Sequence, residues 1–379
     1  MARATPGARL PTLRFTGTHD ALGRMTGAYR RRQIARAVEI AHEVLATEGA
    51  SVAELHDQIA PFIDLAAKHT PAALAELRGM AAGADVSFET LFRLNCMESR
   101  PPGSAFLWNR PERPAVDPVS VLDPDAADTG VPPDPSESPA PGGCTSVASR
   151  HSDGCVVGHT EDSSPENLDG IYLLDATVSD RPGVISSRFQ ALNYAMSLAG
   201  CAAAVNSQGL MILIDALPDP DRQLGVPRSC VSRVLLDQPT IEAAIDVLRS
   251  LPRGGGWNYL MIQGPRIVNV ETTASIVEVE DATGPGAYAH TNHYRTPHIA
   301  ARAGDPRPNS TARLDRALAL VRREMEVDAM IEALADREGF PDSICRERTI
   351  AAWVADTSRR TVRVCWGEPV EATWTSFDY

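Results

Sequence analysis

The chain has 379 residues, 43% hydrophobic and 22% charged, enough for a sizeable core in one large domain or two ordinary ones. Its 36 basic residues against 49 acidic ones leave a net charge of −13, so it lacks the basic footprint that nucleic acid or an anionic membrane demands. No run of about 18 apolar residues offers a membrane span, and Met1 to Asp20 hold no apolar signal core, so a cytoplasmic protein is expected.

From about Asp20 to Asn95 the chain is Ala-rich and helical in period. Ile34, Ala37, Val38, Ala41 and Leu45 share one helix face, and Leu74, Leu77 and Met80 share another. Gly83 and Asp85 break the pattern before a short helix supported by Phe88, Leu91 and Leu94. Such stripes are ordinary core packing. Residues 1–108 are therefore expected to form an N-terminal helical segment. Residues 109–143 carry nine of the 29 prolines and no aromatic residue. They cannot bury enough surface to offset their ordering entropy and are expected to be an exposed linker.

Residues 144–379 open with a β texture. Strands are expected at Val147–Ser149, Cys155–Gly158, Ile171–Ala176 and Val184–Ser186, and on both sides of Asn206-Ser207-Gln208-Gly209. Helices follow at Ser229–Leu235 and Thr240–Leu251, the latter with a capping threonine. Strands resume at Asn258–Gln263, Ile267–Thr272 and Ile276–Val279. Helices at Ser310–Arg323 and Val327–Ala335 precede a hairpin of Thr349–Asp356 and Thr361–Trp366. Runs of strands alternating with runs of helices predict a layered α+β fold, not βαβ repeats.

Seven cysteines, none spaced C-x-x-C, point to free thiols and away from a zinc site. Cys144 has the distinctive setting. The linker delivers Gly142-Gly143 to it at the head of the first strand. Glycine allows strained backbone and leaves its carbonyl open to intramolecular attack by the thiol. Hydrolysis of the resulting thioester would free Cys144 as an N-terminus, whose α-amine could then serve its own thiol as base. The competing account is a buried structural cysteine following a loop.

Downstream lie His159-Thr160-Glu161-Asp162, Asn206-Ser207-Gln208-Gly209, His290-Thr291-Asn292-His293 and Ser343-Ile344-Cys345-Arg346. With Gly143-Cys144-Thr145 and Arg78-Gly79-Met80-Ala81-Ala82-Gly83-Ala84, this order resembles the acyl-coenzyme A:6-aminopenicillanic acid (isopenicillin N) acyltransferase family, within the N-terminal nucleophile (Ntn) hydrolases. The resemblance covers nearly the whole chain. It implies a four-layer αββα sandwich, cleavage between Gly143 and Cys144, and Cys144 as nucleophile. Asp162 then matches the aspartate that orients the new amino terminus, and Asn292 the oxyanion-stabilising amide. Arg346 and Arg348 compete for the site arginine. Thr145 matches a hydroxyl that assists processing, and Thr273 falls where the family carries a site serine. His290 and His293 are expected to support the site and not to move protons. Where the family has an aromatic residue before the aspartate, Glu161 stands here, so penicillin substrates are not assumed.

The expected function is acyl transfer through a Cys144 thioester, from a small-molecule acyl donor to an amine acceptor or to water, in small-molecule or natural-product metabolism. No cofactor is expected, because Gly254-Gly255-Gly256 lacks the Lys-Ser/Thr of a phosphate loop; an acyl-CoA or carrier-bound acyl group stays open as substrate. The two chains of the cut precursor are expected to remain associated. The other readings are a non-catalytic scaffold of the same fold and a histidine-assisted cysteine protease.

Overall fold

The computed structural model describes residues 9–47, 52–96, 143–180 and 187–379. The proline-rich segment up to Gly142 and the strand expected at Val184–Ser186 lie outside these residues. Two sheets organise the molecule. The larger has eight strands: β1 (Thr12–Gly17), β4 (Ile171–Val178), β5 (Ser187–Tyr194), β6 (Ala204–Asn206), β7 (Met211–Asp215), β8 (Asn258–Gln263), β9 (Arg266–Thr272) and β10 (Val277–Asp281), adjacent in that order. The smaller has six: β11 (Ala287–His290), β2 (Cys144–Arg150), β3 (Cys155–Asp162), β12 (Thr349–Asp356), β13 (Thr361–Trp366) and β14 (Trp374–Asp378). All ladders are antiparallel except β1 on β4, which runs parallel.

Alternation along the strands sorts side chains into layers. On β7, Ile212 and Ile214 face a helical layer and pack with Leu74, Leu77, Phe92, Val231 and Leu248. Met211 and Leu213 point the other way, where Leu192 and Leu260 meet Ala148, Val157 and Trp353 of the smaller sheet. The far face of that sheet presents Val147 and Val354 to Leu314 and Met330. The helical layers are α1 (His19–Tyr29), α2 (Arg31–Thr47), α3 (Val52–His69), α4 (Pro71–Ala84), α5 (Phe88–Asn95), α6 (Arg228–Leu235) and α7 (Ile241–Ser250) on one side. On the other lie α9 (Pro308–Leu320) and α10 (Val327–Leu334); the short α8 (Pro297–Ala303) precedes them in the chain. The order helix, sheet, sheet, helix is the expected α+β sandwich.

Two features tie the N-terminal segment to the rest. Helices α1 and α4 cross with their backbones in contact: a Cβ on Gly23, Gly27, Gly79 or Gly83 would run into the carbonyls of Glu76, Met80, Asp20 or Arg24, respectively. Only glycine allows that approach. At one end of this crossing, Glu76 of α4 takes His19 Nδ1 at 2.5 Å and Arg233 Nη2 of α6 at 2.7 Å, all three buried. Arg233 also holds Asp237 at 2.6 Å and lies over the Phe189 ring. Beyond this cluster, β1 extends the larger sheet at its edge.

Candidate active site

The layer between the sheets is apolar in its middle and turns polar at the end where Cys144 stands. Cys144 opens β2 and pairs directly with Glu161 on β3; Ser146, two residues on, pairs with His159 on β3 and with His290 on β11. The two-residue period therefore puts Cys144, Ser146, His159, Glu161 and His290 on the inner face. Facing them from the larger sheet are Tyr194, Asp215, Asn258 and Glu271, each an alternate residue of an inward-facing row.

These groups form one buried chain of hydrogen bonds. Tyr194 donates to Glu161 Oε1 at 2.6 Å, and Glu161 Oε2 meets His159 Nε2 at 2.9 Å. His159 Nδ1 meets Ser146 Oγ at 2.9 Å, and Ser146 donates to Asp215 Oδ1 at 3.0 Å. Asp215 Oδ2 meets His290 Nδ1 at 3.2 Å, and His290 Nε2 meets Glu271 Oε1 at 3.1 Å. Proton counting fixes the donors. Ser146 gives its only proton to Asp215, so His159 Nδ1 must donate to Ser146. His159 Nε2 then faces a carboxylate oxygen, and a second proton has to lie between them.

The electrostatics agree. Burial opposes an imidazolium at His159, but the hydrogen bond and charge of Glu161, with Asp215 and Asp162, raise its pKa above the usual value. At His290 burial is likewise outweighed, by Asp215 and Glu271, and the pKa rises to about 8. Glu271 resists its own burial through His290, Thr296 and the Arg295 backbone, and falls to about 2. The Cys144 thiol is pushed well above its ordinary value, first by burial and then by the charges of Glu161, Asp215 and Asp162. Cys144 therefore rests as a thiol.

A second group surrounds the backbone at the Gly143–Cys144 junction. Cys144 N–H donates to Asn292 Oδ1 at 2.9 Å, and Asn292 Nδ2 donates to the Ala216 carbonyl at 3.0 Å. Arg313 of α9, fully buried, donates to the Cys144 carbonyl at 2.6 Å, to Thr145 Oγ1 at 2.9 Å and to Asn292 Oδ1 at 2.7 Å. Burial and the neighbouring Arg346 cation lower its pKa to about 10. Arg346 Nε donates to Asp162 Oδ2 at 2.7 Å, and Thr349 donates to Asp162 Oδ1 at 2.6 Å. A Cβ on Gly143 would collide with Arg346 Nη2 and come within 2.7 Å of Arg313 Nη2 and 3.0 Å of Asn292 Oδ1. Glycine thus leaves the ends of both guanidinium groups their place beside the junction.

The structure brings together Gly143, Cys144, Thr145, Asp162, Asn292 and Arg346. It corrects the expected posture of Asn292, whose carbonyl and not its amide faces Cys144, because two donors already converge on Oδ1. Between the rival arginines it places Arg346 on Asp162, while the Arg348 carbonyl accepts the Ser163 N–H. The Thr273 hydroxyl donates to Asp221 at 2.7 Å in the turn between β9 and β10, and the β9 residue that joins the buried network is Glu271. His293 Nδ1 lies 2.8 Å from Ser310 Oγ.

Sequence reasoning missed Arg313, Asp215 and Tyr194, and gave His159 and Glu161 no role. Ser310 and Arg313, three residues apart on one predicted helix, were the available signal for Arg313. The donor atoms of Cys144, His159 and Glu161 all lie within 4.8 Å of one another. His159 and Glu161 bond each other, Ser146 and Tyr194, with the Cys144 sulfur as their near neighbour. Beside the junction opens a cavity of about 310 Å³ lined by Gly143, Asn292 and Arg313 and by the apolar Leu217, Pro218 and Tyr294.

A cysteine heading an inner strand of a sheet sandwich, with its backbone nitrogen held by an asparagine, defines the class sketched by the sequence. Residues 149–371 match the family model of acyl-coenzyme A:6-aminopenicillanic acid acyl-transferase, and the chain belongs to that family. The matched segment contains Asp162, Asn292 and Arg346 and begins just beyond Cys144. Among characterised proteins, the β-alanyl-dopamine/carcinine hydrolase of Drosophila melanogaster is 27% identical over 217 residues, 54% of this chain and 49% of that protein. The match thus spans about half the length of that relative. Penicillin V acylase from Agrobacterium tumefaciens is 15% identical, with 62% of this chain and 86% of that one covered at a TM-score of 0.43. The C2A mutant of conjugated bile acid hydrolase from Clostridium perfringens is 9% identical, with 62% and 97% covered at 0.34. Likeness at these scores is loose. No described helix is long and apolar enough to cross a membrane.

Proposed function

We propose that the protein cuts itself between Gly143 and Cys144 and then uses the Cys144 thiol to take the acyl group of a small linear amide or thioester and pass it to water or to an amine. The observation that carries this reading is the junction itself. The guanidinium ends of Arg346 and Arg313 lie against Gly143, where a side chain would have to displace them, and the Cys144 nitrogen rests on Asn292 Oδ1 at 2.9 Å. Positive groups fixed beside a carbonyl stabilise the oxyanion that forms when a nucleophile adds to it. After the cut, Asn292 Oδ1 accepts from the new α-amine and leaves its lone pair free to take the thiol proton.

The cavity of about 310 Å³ suits a small ligand. The fly relative is named as a hydrolase of β-alanyl-dopamine and carcinine, which makes β-alanyl amides the first substrates to try. Neither a cofactor nor a metal enters the scheme. The two chains stay together through β1 on β4, the Glu76–Arg233 pair and Asn95, which donates to the Met196 carbonyl at 2.8 Å. All seven cysteines are thiols, which fits the reducing cytoplasm. Intact-mass analysis tests the reading. It should show chains 1–143 and 144–379, and an adduct on the second after brief exposure to a β-alanyl amide or an acyl thioester. A single uncut chain with no adduct would overturn it.

A further inference from the structure

The first cut poses a problem that turnover does not. In the uncut chain the Cys144 nitrogen is an amide, its lone pair is delocalised into the Gly143 carbonyl, and its N–H is committed to Asn292 Oδ1 at 2.9 Å. The α-amine that serves the mature enzyme does not yet exist, and the thiol is protonated. Another group must take that proton.

We propose that the Glu161 carboxylate, held by His159 and Tyr194, is the base for self-cleavage, and that it hands this role to the α-amine once the chain is cut. This rests on the reading of Cys144 given above. Three observations single out Glu161. It is the direct cross-strand partner of Cys144, so both side chains share the inner face. Its carboxylate and the His159 ring lie with the Cys144 sulfur inside a 4.8 Å triangle, a separation that a small rotation closes. The other carboxylates are engaged elsewhere. Asp162 is clamped by Arg346 and Thr349, and Asp215 by Ser146, His290 and Asn258.

The step balances. The proton of Cys144 Sγ moves to Glu161 as sulfur adds to the Gly143 carbonyl carbon, and the carbonyl electron pair moves to oxygen. The sulfur ends neutral, the negative charge rests on the former carbonyl oxygen, and His159 stays hydrogen-bonded to Glu161. When the oxyanion collapses, the C–N bond breaks and the leaving nitrogen of Cys144 takes the proton from Glu161. The product is a Gly143 thioester on Cys144 with a free amine. Water then adds to the thioester, releasing the Gly143 carboxylate and regenerating the thiol.

The test compares two rates in Glu161→Gln and in wild type. One is self-cleavage of the full chain, followed by denaturing electrophoresis during synthesis in vitro. The other is amide turnover by the two-chain form, with residues 1–143 and 144–379 produced together and the second chain beginning at Cys144. Loss of a general base predicts that E161Q slows self-cleavage by about 10²-fold or more, and that this loss exceeds its loss of turnover by about tenfold or more. Glu161→Asp, which keeps a carboxylate, should recover part of the cleavage rate. If E161Q does not fold, His159→Gln is put through the same comparison and should show the same imbalance. Cleavage of a folded variant at the wild-type rate, equal losses in both rates, or E161D no faster than E161Q would overturn the proposal. A wild-type chain that never cuts would instead overturn the underlying reading of Cys144.

Discussion

Two of the buried histidine–glutamate pairs among the described residues do different work. His19 and Glu76 meet at 2.5 Å between helices, closed over by Arg233 and Asp237. His159 and Glu161 meet at 2.9 Å between sheets, with the Cys144 sulfur as their third neighbour. The first pair is a fastener: its groups answer one another, and they join the N-terminal helices to the body. The second opens towards a thiol whose preceding residue, Gly143, lines a cavity. A buried ionic pair is therefore no sign of chemistry by itself. It acquires a role from the reactive atom placed against it.

That contrast can be broken in several places. The largest effect is expected from Cys144→Ala, which should abolish both self-cleavage and turnover; an uncut band on denaturing electrophoresis is the check, and Cys144→Ser should cut more slowly than wild type. Next comes Arg313→Met. It removes a cation that lies against Gly143 and a donor to Asn292, so cleavage and turnover should each fall by about 10²-fold or more, as on losing a preorganised charge-stabilising donor. Its rates can be set against those of Arg346→Met to separate the two guanidinium groups.

Glu76→Gln should do the reverse. It strips Arg233 of a buried counter-charge, costing about 3 kcal/mol of stability, at the low end for a broken buried pair because Asp237 remains. Turnover per folded molecule should hold, which equilibrium denaturation together with active-site titration will show. An equal loss of turnover would erase the distinction between the two pairs.

The smallest expected effect is on pH dependence. The folded pKa of His290 is raised from 6.5 to about 8, so its contribution is complete below about 6.5 and is lost as pH rises through about 8. That rise corresponds to about 2 kcal/mol. Glu271 has the opposite sign: its value near 2 means a contribution present above its ordinary 4.5 and lost as pH falls through about 2. The denaturation midpoint should therefore decline between about pH 6.5 and about pH 8.5, and a flat profile there would show His290 to be uncharged between its two carboxylates.

Much of this architecture was written locally. The terminal hairpin carries alternation along both arms and a turn between them, so Thr349–Asp356 and Thr361–Trp366 form β12 and β13 with the expected limits. The helices at Thr240 and Val327 start where a cap or an apolar stripe begins, and Thr240 accepts the Ala243 N–H. Gly143-Cys144 could be singled out because a glycine before a cysteine after a proline-rich run is a local signal. Other elements offered none. β1 is an edge strand whose pairing partner lies far along the chain, β14 closes the opposite edge of the other sheet, and β11 is four residues long.

What the sequence determined by itself was many of the elements and the Gly143-Cys144 junction at the head of β2, since periodicity, turn chemistry and glycine's steric freedom act over a few residues. Only the tertiary structure decided which charges meet. It set Arg346 on Asp162, brought Arg313 in from α9, turned the Asn292 carbonyl onto Cys144, joined Glu271 to the buried network, and set Glu161 opposite the thiol. Those choices depend on strand register and sheet packing, in which one residue's displacement turns a side chain to the other face, and no local pattern records the partner waiting there.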